Sequence, residues 1–88
     1  MADIKVYGAD WCSMTARTRA HLDQQGIAYE YVNIDQDRRG AEWVAAQNGG
    51  KEKKPTLDIS GYVLSEPTNA ELDKVLEDKG LRVQNSVN

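Results

Sequence analysis

Apolar residues recur with two different periods along the chain, and the change from one period to the other divides it into seven elements. Residues 4–7 and 27–35 alternate between apolar and polar side chains, which predicts two strands. Residues 55–59 and 62–64 predict two more strands, with a tight hairpin turn at Ser60-Gly61 between them. We therefore expect four strands, of which the last two pair as a hairpin.

Three segments place apolar residues at the three- and four-residue spacing of a helix, namely residues 13–25, 39–47 and 68–79. Each is closely followed by glycine, the residue that most often ends a helix. Thr68 and Glu71 have the spacing of a capping box. The apolar side chains expected to pack inward are Met14, Ala20 and Leu22 in the first helix, Ala41, Trp43, Val44 and Ala45 in the second, and Leu72, Val75 and Leu76 in the third.

The order strand, helix, strand, helix, hairpin, helix predicts an α/β fold. A strand–helix–strand unit favours parallel strands with a right-handed connection, and the hairpin adds an antiparallel pair to the same sheet. Helices then cover both faces of a small mixed sheet. Residues 1–80 are expected to form one domain, and residues 81–88, which carry little pattern, a mobile C-terminal tail.

The 88-residue chain is 40% apolar and 28% charged, which is the composition of a folded domain with a single modest core. Its net charge of -3 argues against nucleic-acid binding, which needs a basic surface. No apolar run approaches the roughly 18 residues of a membrane span, and residues 1–5 lack the apolar segment of a signal peptide. We therefore expect a cytoplasmic protein that binds neither nucleic acid nor membranes.

The sequence contains one cysteine and one histidine. These numbers exclude a disulfide within this sequence and a zinc site made of Cys and His ligands. His21 lies nine residues after Cys12 on the same predicted helix, about 13 Å away, which is too far for it to act as a base for the thiol. We expect no metal, no tightly bound cofactor, and a packing or surface role for His21.

Cys12 stands where the first predicted strand turns into the first predicted helix. At a helix N-terminus the unpaired N–H groups favour the thiolate, which is the reactive form. The Thr15 hydroxyl, one turn later, would favour the thiolate further. Lys53 and Lys54 would do the same if their loop covers the thiol, whereas Asp10 would oppose them. The pattern predicts a thiol of lowered pKa, and an inert buried cysteine is the alternative.

Trp11-Cys12 at the first strand-to-helix turn, with a proline opening the third strand, resembles the glutaredoxin branch of the thioredoxin fold over residues 3–79. Asn-Gly-Gly at residues 48–50 and Leu-Ser-Glu-Pro-Thr at residues 64–68 make the chain most similar to the mycoredoxins and the ribonucleotide-reductase-linked redoxins. The resemblance implies a thioredoxin fold of order β-α-β-α-β-β-α, with a four-stranded mixed sheet flanked by three helices. It also implies thiol–disulfide oxidoreductase activity.

The same resemblance implies roles for residues that the sequence separates widely. Cys12 matches the family's nucleophile, and Pro55 matches its cis-proline beside the active sulfur. Lys54 matches the residue whose backbone pairs with the cysteinyl part of a thiol ligand or peptide substrate. Thr68 and Asn69 match the place where a ligand carboxylate is received, and a helix N-terminus favours such an anion.

Three neighbours of the thiol, Trp11, Ser13 and Met14, are expected to border the thiol-binding groove, with Trp11 as one wall. Core packing is the alternative for Trp11.

Two positions depart from the family. Thr15 stands where the family carries its second cysteine, so an internal disulfide cannot complete the cycle. Ala9 stands where glutathione-using members carry a lysine, which weakens the case for glutathione itself, and the Cys-Gly-Phe-Ser motif of cluster-carrying relatives is absent.

We therefore expect a monothiol-type, glutaredoxin-like oxidoreductase that acts as a monomer. Cys12 attacks a mixed disulfide between a protein and a small thiol, and an external low-molecular-weight thiol, glutathione or an analogue, releases it. Thr15 assists by hydrogen bonding to the thiolate, although space filling, or engineered replacement of a resolving cysteine, would also place a threonine there. The alternative function is a non-catalytic binding module for a thiol compound or a partner protein.

Overall fold

The computed structural model describes residues 3–81. Within them the elements are β1 (Ile4–Gly8), α1 (Ser13–Gln24), β2 (Glu30–Asn33), α2 (Arg38–Gln47), β3 (Thr56–Ile59), β4 (Tyr62–Ser65) and α3 (Asn69–Asp78). The strands form one sheet in the order β2-β1-β3-β4. β1 pairs parallel with β2 and antiparallel with β3, and β4 pairs antiparallel with β3. The predicted α/β fold, with a four-stranded mixed sheet and three helices, is confirmed. None of the helices in this part of the chain is long and apolar enough to cross a membrane.

Side chains on the two faces of the sheet build two separate apolar clusters. One face carries α1 and α3, and the opposite face carries α2. Trp43, which the sequence predicts in the core, is half-buried and stacks on Tyr7 with ring centroids 4.5 Å apart. The buried residues of the larger cluster are Ile4, Val6, Leu22, Leu57, Ile59, Leu72 and Leu76, and those of the smaller cluster are Tyr7, Ile34 and Val44.

The inward face of α1 differs from the predicted one. Ala20 is exposed and Met14 is only half-buried, whereas Thr15, Thr18 and Leu22 are buried. Ala20 lies about 160° around the helix from Leu22, so the two residues cannot both face the sheet. Two of the three buried residues are threonines. Because threonine is polar, the spacing of apolar residues does not reveal this face of α1.

β2 is shorter than the alternating pattern predicts. The Ile27 amide donates to the Leu22 carbonyl at 3.0 Å, so it closes the end of α1 instead of joining the sheet. Ile27 and Tyr29 nevertheless pack against the larger cluster. Beyond the other end of β2, the Ile34 amide still donates to the Gly8 carbonyl at 2.9 Å. The alternation therefore reflects burial over a longer stretch than the paired strand.

The remaining predicted bounds agree with the structure to within one residue. Thr68 and Lys79, the predicted ends of the last helix, are the N-cap and C-cap of α3. Leu81, the first residue of the predicted tail, packs against the larger cluster and donates from its amide to the Leu76 carbonyl at 2.8 Å. The rest of that predicted tail, residues 82–88, lies outside the described residues.

The predicted hairpin turn between β3 and β4 is confirmed. Ser60 and Gly61 both have positive φ, 51° and 93°, as the tight turns that match strand twist require. The Asp58 carboxylate accepts a hydrogen bond from the Gly61 amide at 2.8 Å. The turn places β4 at an edge of the sheet and directs the chain towards α3.

Candidate active site

Cys12 lies in the turn between β1 and α1 and is the N-cap residue of α1. Its amide donates to the Ala9 carbonyl at 3.1 Å, which closes the turn. Its carbonyl accepts the first hydrogen bond of the helix, from the Ala16 amide, also at 3.1 Å. The side chain is half-buried, so the sulfur remains partly accessible. The thiol thus stands at the start of a helix, as the sequence predicts.

The loop that precedes β3 reaches the thiol from the other side. The Cys12 thiol donates to the Lys54 carbonyl, with Sγ 3.8 Å from the oxygen. The Lys54–Pro55 peptide bond is cis, and Pro55 is buried directly before β3. The Glu66 amide donates to the Pro55 carbonyl at 2.7 Å, which ties this loop to the segment leading into α3. Residues far apart in the sequence therefore meet around one sulfur.

Thr15 lies beneath the thiol and is only 1% exposed. Its Oγ1 accepts a hydrogen bond from the Ala9 amide at 3.4 Å. A hydroxyl that accepts in this way keeps its own proton available to donate. A Cβ added to Gly8 would come within 2.5 Å of the Thr15 side chain, so threonine fills this space against bare backbone. Space filling and support of the thiol are therefore compatible at Thr15.

The pKa of the Cys12 thiol lies below its ordinary value. Partial burial of the sulfur raises the pKa, but this effect is outweighed by groups that stabilise the thiolate. The Thr15 hydroxyl lowers the pKa most, followed by the backbone amides of Thr15 and Met14 and by the Lys54 ammonium. In the thiol form the side chain makes no capping hydrogen bond to the helix, so these groups act on the charge that appears on deprotonation. The site favours the nucleophilic form of the sulfur.

The predicted groove residues next to the thiol differ in exposure. Trp11 is 70% exposed, so core packing is wrong for this residue. Its Nε1 donates to the Asp35 carboxylate at 2.7 Å, and the Lys54 ammonium lies 5.3 Å from the centroid of its ring. Ser13 is exposed and Met14 is half-buried, at the first two positions of α1. All three residues lie within two positions of Cys12 in the chain, and that they border the thiol-binding groove stays a prediction.

The N-terminus of α3 is already capped by the chain. Thr68 Oγ1 accepts a hydrogen bond from the Glu71 amide at 3.1 Å, and the Glu71 carboxylate accepts one from the Thr68 amide at 2.9 Å. This is the capping box that the sequence predicts. Thr68 is exposed and Asn69 is half-buried. The Glu71 carboxylate therefore already occupies one backbone donor at this helix end, the Thr68 amide. Binding of a ligand carboxylate by Thr68 and Asn69 stays a prediction.

A second polar network, which no pattern in the sequence predicts, flanks the site on β2. The Tyr31 hydroxyl donates to the Asp10 carboxylate at 2.7 Å, and the Arg19 guanidinium lies 3.8 Å from the centroid of the Tyr31 ring. Burial of Tyr31, with the Asp10 hydrogen bond and charge, raises the pKa of its hydroxyl to about 12. Asp10, predicted to oppose the thiolate, is thus engaged with a tyrosine. No local sequence signal marks this pair.

His21 faces α3, where its Nε2 lies 2.7 Å from an Asp73 carboxylate oxygen. Gln25 Nε2 lies 2.7 Å from the same imidazole nitrogen. The histidine therefore joins two helices, which agrees with the predicted packing role. Between residues 3 and 81, no group of three or more His, Cys, Asp and Glu side chains is arranged to hold a metal ion.

Comparisons with known proteins agree with this geometry. The glutaredoxin family profile matches residues 4–63. Mycoredoxin 1 of Corynebacterium glutamicum is 32% identical over 78 residues, which cover 88% of this chain and 96% of that protein. Glutaredoxin from Archaeoglobus fulgidus has a similar fold, with a TM-score of 0.76 at 21% identity, covering 86% of this chain and 87% of that one. For NrdH-redoxin from Escherichia coli the TM-score is 0.72 at 21% identity, with coverage of 82% and 92%.

Proposed function

The chain belongs to the glutaredoxin family of thiol–disulfide oxidoreductases, and from this premise we propose that it works by a monothiol mechanism with an external low-molecular-weight thiol. Glutaredoxins act on mixed disulfides of small thiols and proteins. The observation that carries the proposal is the half-buried Cys12 thiol of lowered pKa, placed at the start of α1 and beside the Lys54 carbonyl. A thiolate poised in this way is a nucleophile for disulfide exchange.

The reaction comprises two exchanges. The Cys12 thiolate attacks the small-thiol sulfur of a mixed disulfide, so a bond forms between these two sulfurs and the original disulfide breaks. The protein sulfur leaves as a thiolate and takes up a proton. A second molecule of the small thiol, as thiolate, then attacks the sulfur bound to Cys12. It forms a small-molecule disulfide and returns Cys12 as thiolate, so the mixed disulfide and one external small thiol become one protein thiol and one small-molecule disulfide.

Thr15 assists the first exchange through its hydroxyl, and its lack of a sulfur makes the second exchange with an external thiol necessary. Its hydroxyl lowers the Cys12 pKa and so stabilises the attacking thiolate. Because threonine has no sulfur, the mixed disulfide on Cys12 must be resolved from outside. Glutathione or an analogue such as mycothiol has the required chemistry. A free working thiol and its external reductant persist in a reducing compartment, which supports a cytoplasmic location.

Three short segments would hold the small thiol. Trp11, Ser13 and Met14 would border the sulfur on one side, and Pro55 would border it on the other, next to the Lys54 carbonyl that accepts from the Cys12 thiol. Thr68 and Asn69 are proposed to close the groove at the start of α3. Since every one of these groups comes from a single chain, a monomer would suffice for the reaction.

Reduction of mixed disulfides tests the proposal. A short cysteine-containing peptide, prepared as its mixed disulfide with glutathione, mycothiol or cysteine, is offered with the matching free thiol in excess. We expect repeated turnover with at least one thiol, and loss of turnover in Cys12→Ser. Formation of one equivalent of mixed disulfide on Cys12 without further turnover in any thiol would contradict the enzyme and favour the binding-module alternative.

Replacement of Thr15 by cysteine tests the assignment of the second exchange to an external thiol. A second sulfur one turn after Cys12 can displace the bound small thiol from within and form an internal disulfide. In a single turnover, release of the small thiol from Cys12 should therefore depend less on external thiol. Thr15→Ser, which keeps the hydroxyl and adds no sulfur, is the matched control and should keep the wild-type dependence. Equal dependence on external thiol in Thr15→Cys and wild type would contradict the assignment.

A further inference from the structure

Trp11 is unusually exposed for a large apolar side chain. It is 70% exposed, whereas Tyr62, the other exposed large hydrophobic of the described residues, is 48% exposed. Leaving an indole in water forgoes the favourable free energy of burying it. Trp11 also directly precedes Cys12. A broad apolar ring kept in solvent beside the reacting sulfur is placed to contact whatever approaches that sulfur.

The exposed ring is held by a carboxylate 24 residues further along the chain. Trp11 Nε1 donates to Asp35 Oδ2 at 2.7 Å, a short distance typical of a bond from N–H to a charged acceptor. Asp35 is fixed in turn, because its amide donates to the Asn33 side-chain oxygen at 2.9 Å. The Gln36 amide donates to the Asn33 carbonyl at 3.1 Å and closes the same turn. A carboxylate on a closed turn therefore fixes one edge of the indole.

The loop before β3 holds the ring from another direction. The Lys54 ammonium lies 5.3 Å from the centroid of the Trp11 ring, within the range of a cation–π contact. It also donates to the Glu52 carbonyl at 3.0 Å, which restrains it. The carbonyl of the same Lys54 accepts from Cys12. The indole is thus fixed between the turn after β2 and the loop that contacts the sulfur.

We propose that Asp35 is a positioning residue, which holds the Trp11 indole as a fixed wall against which the small-thiol part of a mixed disulfide packs. The inference rests on the proposed function, because the wall serves the disulfide that Cys12 attacks. Asp35 acts on the ring, whereas the thiolate is stabilised chiefly by the Thr15 hydroxyl. Loss of Asp35 therefore weakens capture of the disulfide and leaves the reactivity of the sulfur unchanged.

Steady-state kinetics of Asp35→Ala separate these effects. The probes are a short cysteine-containing peptide in mixed disulfide with glutathione and the same peptide in mixed disulfide with mycothiol. We expect KM to rise about three- to tenfold and kcat to change less than about twofold. Alkylation of Cys12 by iodoacetamide, a reagent too small to need the wall, should keep its rate. Asp35→Asn should restore most of KM, because an amide oxygen still accepts from the indole. Asp23→Ala, which removes an exposed carboxylate from α1, is the matched control and should keep the wild-type KM.

A double-mutant cycle shows whether Asp35 acts through the ring. Trp11→Phe removes the N–H donor and keeps an aromatic side chain, so adding Asp35→Ala should raise KM no further. Fluorescence provides a readout that needs no turnover. With Trp43→Phe as background, Trp11 is the remaining tryptophan, and its anisotropy should decay faster after Asp35→Ala.

Three results would overturn the inference. They are an unchanged anisotropy decay in Asp35→Ala, additive effects of the two substitutions on KM, and alkylation slowed as much as turnover. A wild-type chain that turns over neither probe would contradict the proposed function instead, and the anisotropy measurement would still decide whether Asp35 holds the ring.

Discussion

Thr15 shows how much one residue contributes to this site. Its Oγ1 accepts from the Ala9 amide, its bulk fills the space over Gly8, and its hydroxyl lowers the pKa of Cys12. From the sequence, space filling and thiolate stabilisation are alternatives for this threonine. In the folded chain the same contacts serve both, because the group that supports the thiolate is held rigidly by the backbone beneath it.

Thr15→Val separates the two contributions, since valine keeps the shape and removes the hydroxyl. A lowered pKa means that Cys12 is already thiolate at a pH where an ordinary thiol is protonated. We therefore expect the midpoint of the pH–alkylation profile to lie below that of an ordinary cysteine thiol in the wild type and to rise towards it in Thr15→Val. Iodoacetamide labelling followed by mass spectrometry measures this midpoint. Thr15→Ser should stay near the wild type, and an unshifted Thr15→Val would assign the lowered pKa to the amides and Lys54 instead.

At the residue scale, the sequence identifies side chains whose type is unusual for their place. The sequence alone reveals a lone cysteine at a helix start and a proline at the start of a strand. It does not reveal Asp35 and Tyr31, because their contacts join them to residues 24 and 21 positions away. An exposed aspartate after a strand has many ordinary explanations until its partner is seen.

Among the elements, α3 depends most clearly on its own sequence. Its capping box satisfies backbone donors at the first turn, with Thr68 and Glu71 bonded to each other's amides. Thr68→Ala removes the side-chain acceptor and should lower the free energy of unfolding by about 1 kcal/mol. Urea unfolding measures this as a lower midpoint with an unchanged slope. Thr68→Ser keeps the acceptor and should remain close to the wild type, and a loss as large as that of the alanine variant would argue against the cap.

The features that the sequence predicts best are therefore the helix caps and turns formed by residues close together in the chain. The capping box and the Ser60-Gly61 turn involve residues next to each other in the chain, and both are present. The inward face of α1 is chosen instead by the way the helix lies on the sheet, which buries Thr18 and exposes Ala20. Polarity patterns carry no information about that choice when the buried residues are threonines.

At the scale of the molecule, β1 is the strand from which the site is assembled. It pairs with β2 on one side and with β3 on the other, with Val6 opposite Tyr31 and Tyr7 opposite Thr56. The order of elements predicts this topology, because parallel crossovers are right-handed and hairpins are local. The order does not predict which side chains bond across the ends of the strands, since that depends on loop geometry.

Tyr31 makes the stability of the whole fold sensitive to alkaline pH. Its hydroxyl has a pKa of about 12 in the folded chain and about 10 when unfolded. Below about pH 10 its contribution to stability is fully present, and it is lost as the pH rises towards 12, because the unfolded chain releases the proton first. In urea unfolding at about pH 8, 10 and 11, Tyr31→Phe should therefore lose less stability with rising pH than the wild type.

Asp10→Asn provides a second arm of this experiment. It removes the charge that helps to hold the Tyr31 proton, so its stability should also fall less steeply with pH than that of the wild type. Asp23→Asn is the same substitution on the exposed face of α1 and serves as the control. Parallel curves for Tyr31→Phe and wild type would show that the Tyr31 proton does not link stability to pH.

The span between Cys12 and Lys54 has a consequence for how the protein is made. Forty-two positions separate the thiol from the carbonyl that contacts it, and the loop is brought there by the pairing of β3 with β1. During synthesis Cys12 enters the chain 42 residues before Lys54, and a 12-residue helix such as α1 is only marginally stable by itself. The Cys12 thiol of the nascent chain is therefore unreactive, and it becomes an effective nucleophile only when the sheet is complete.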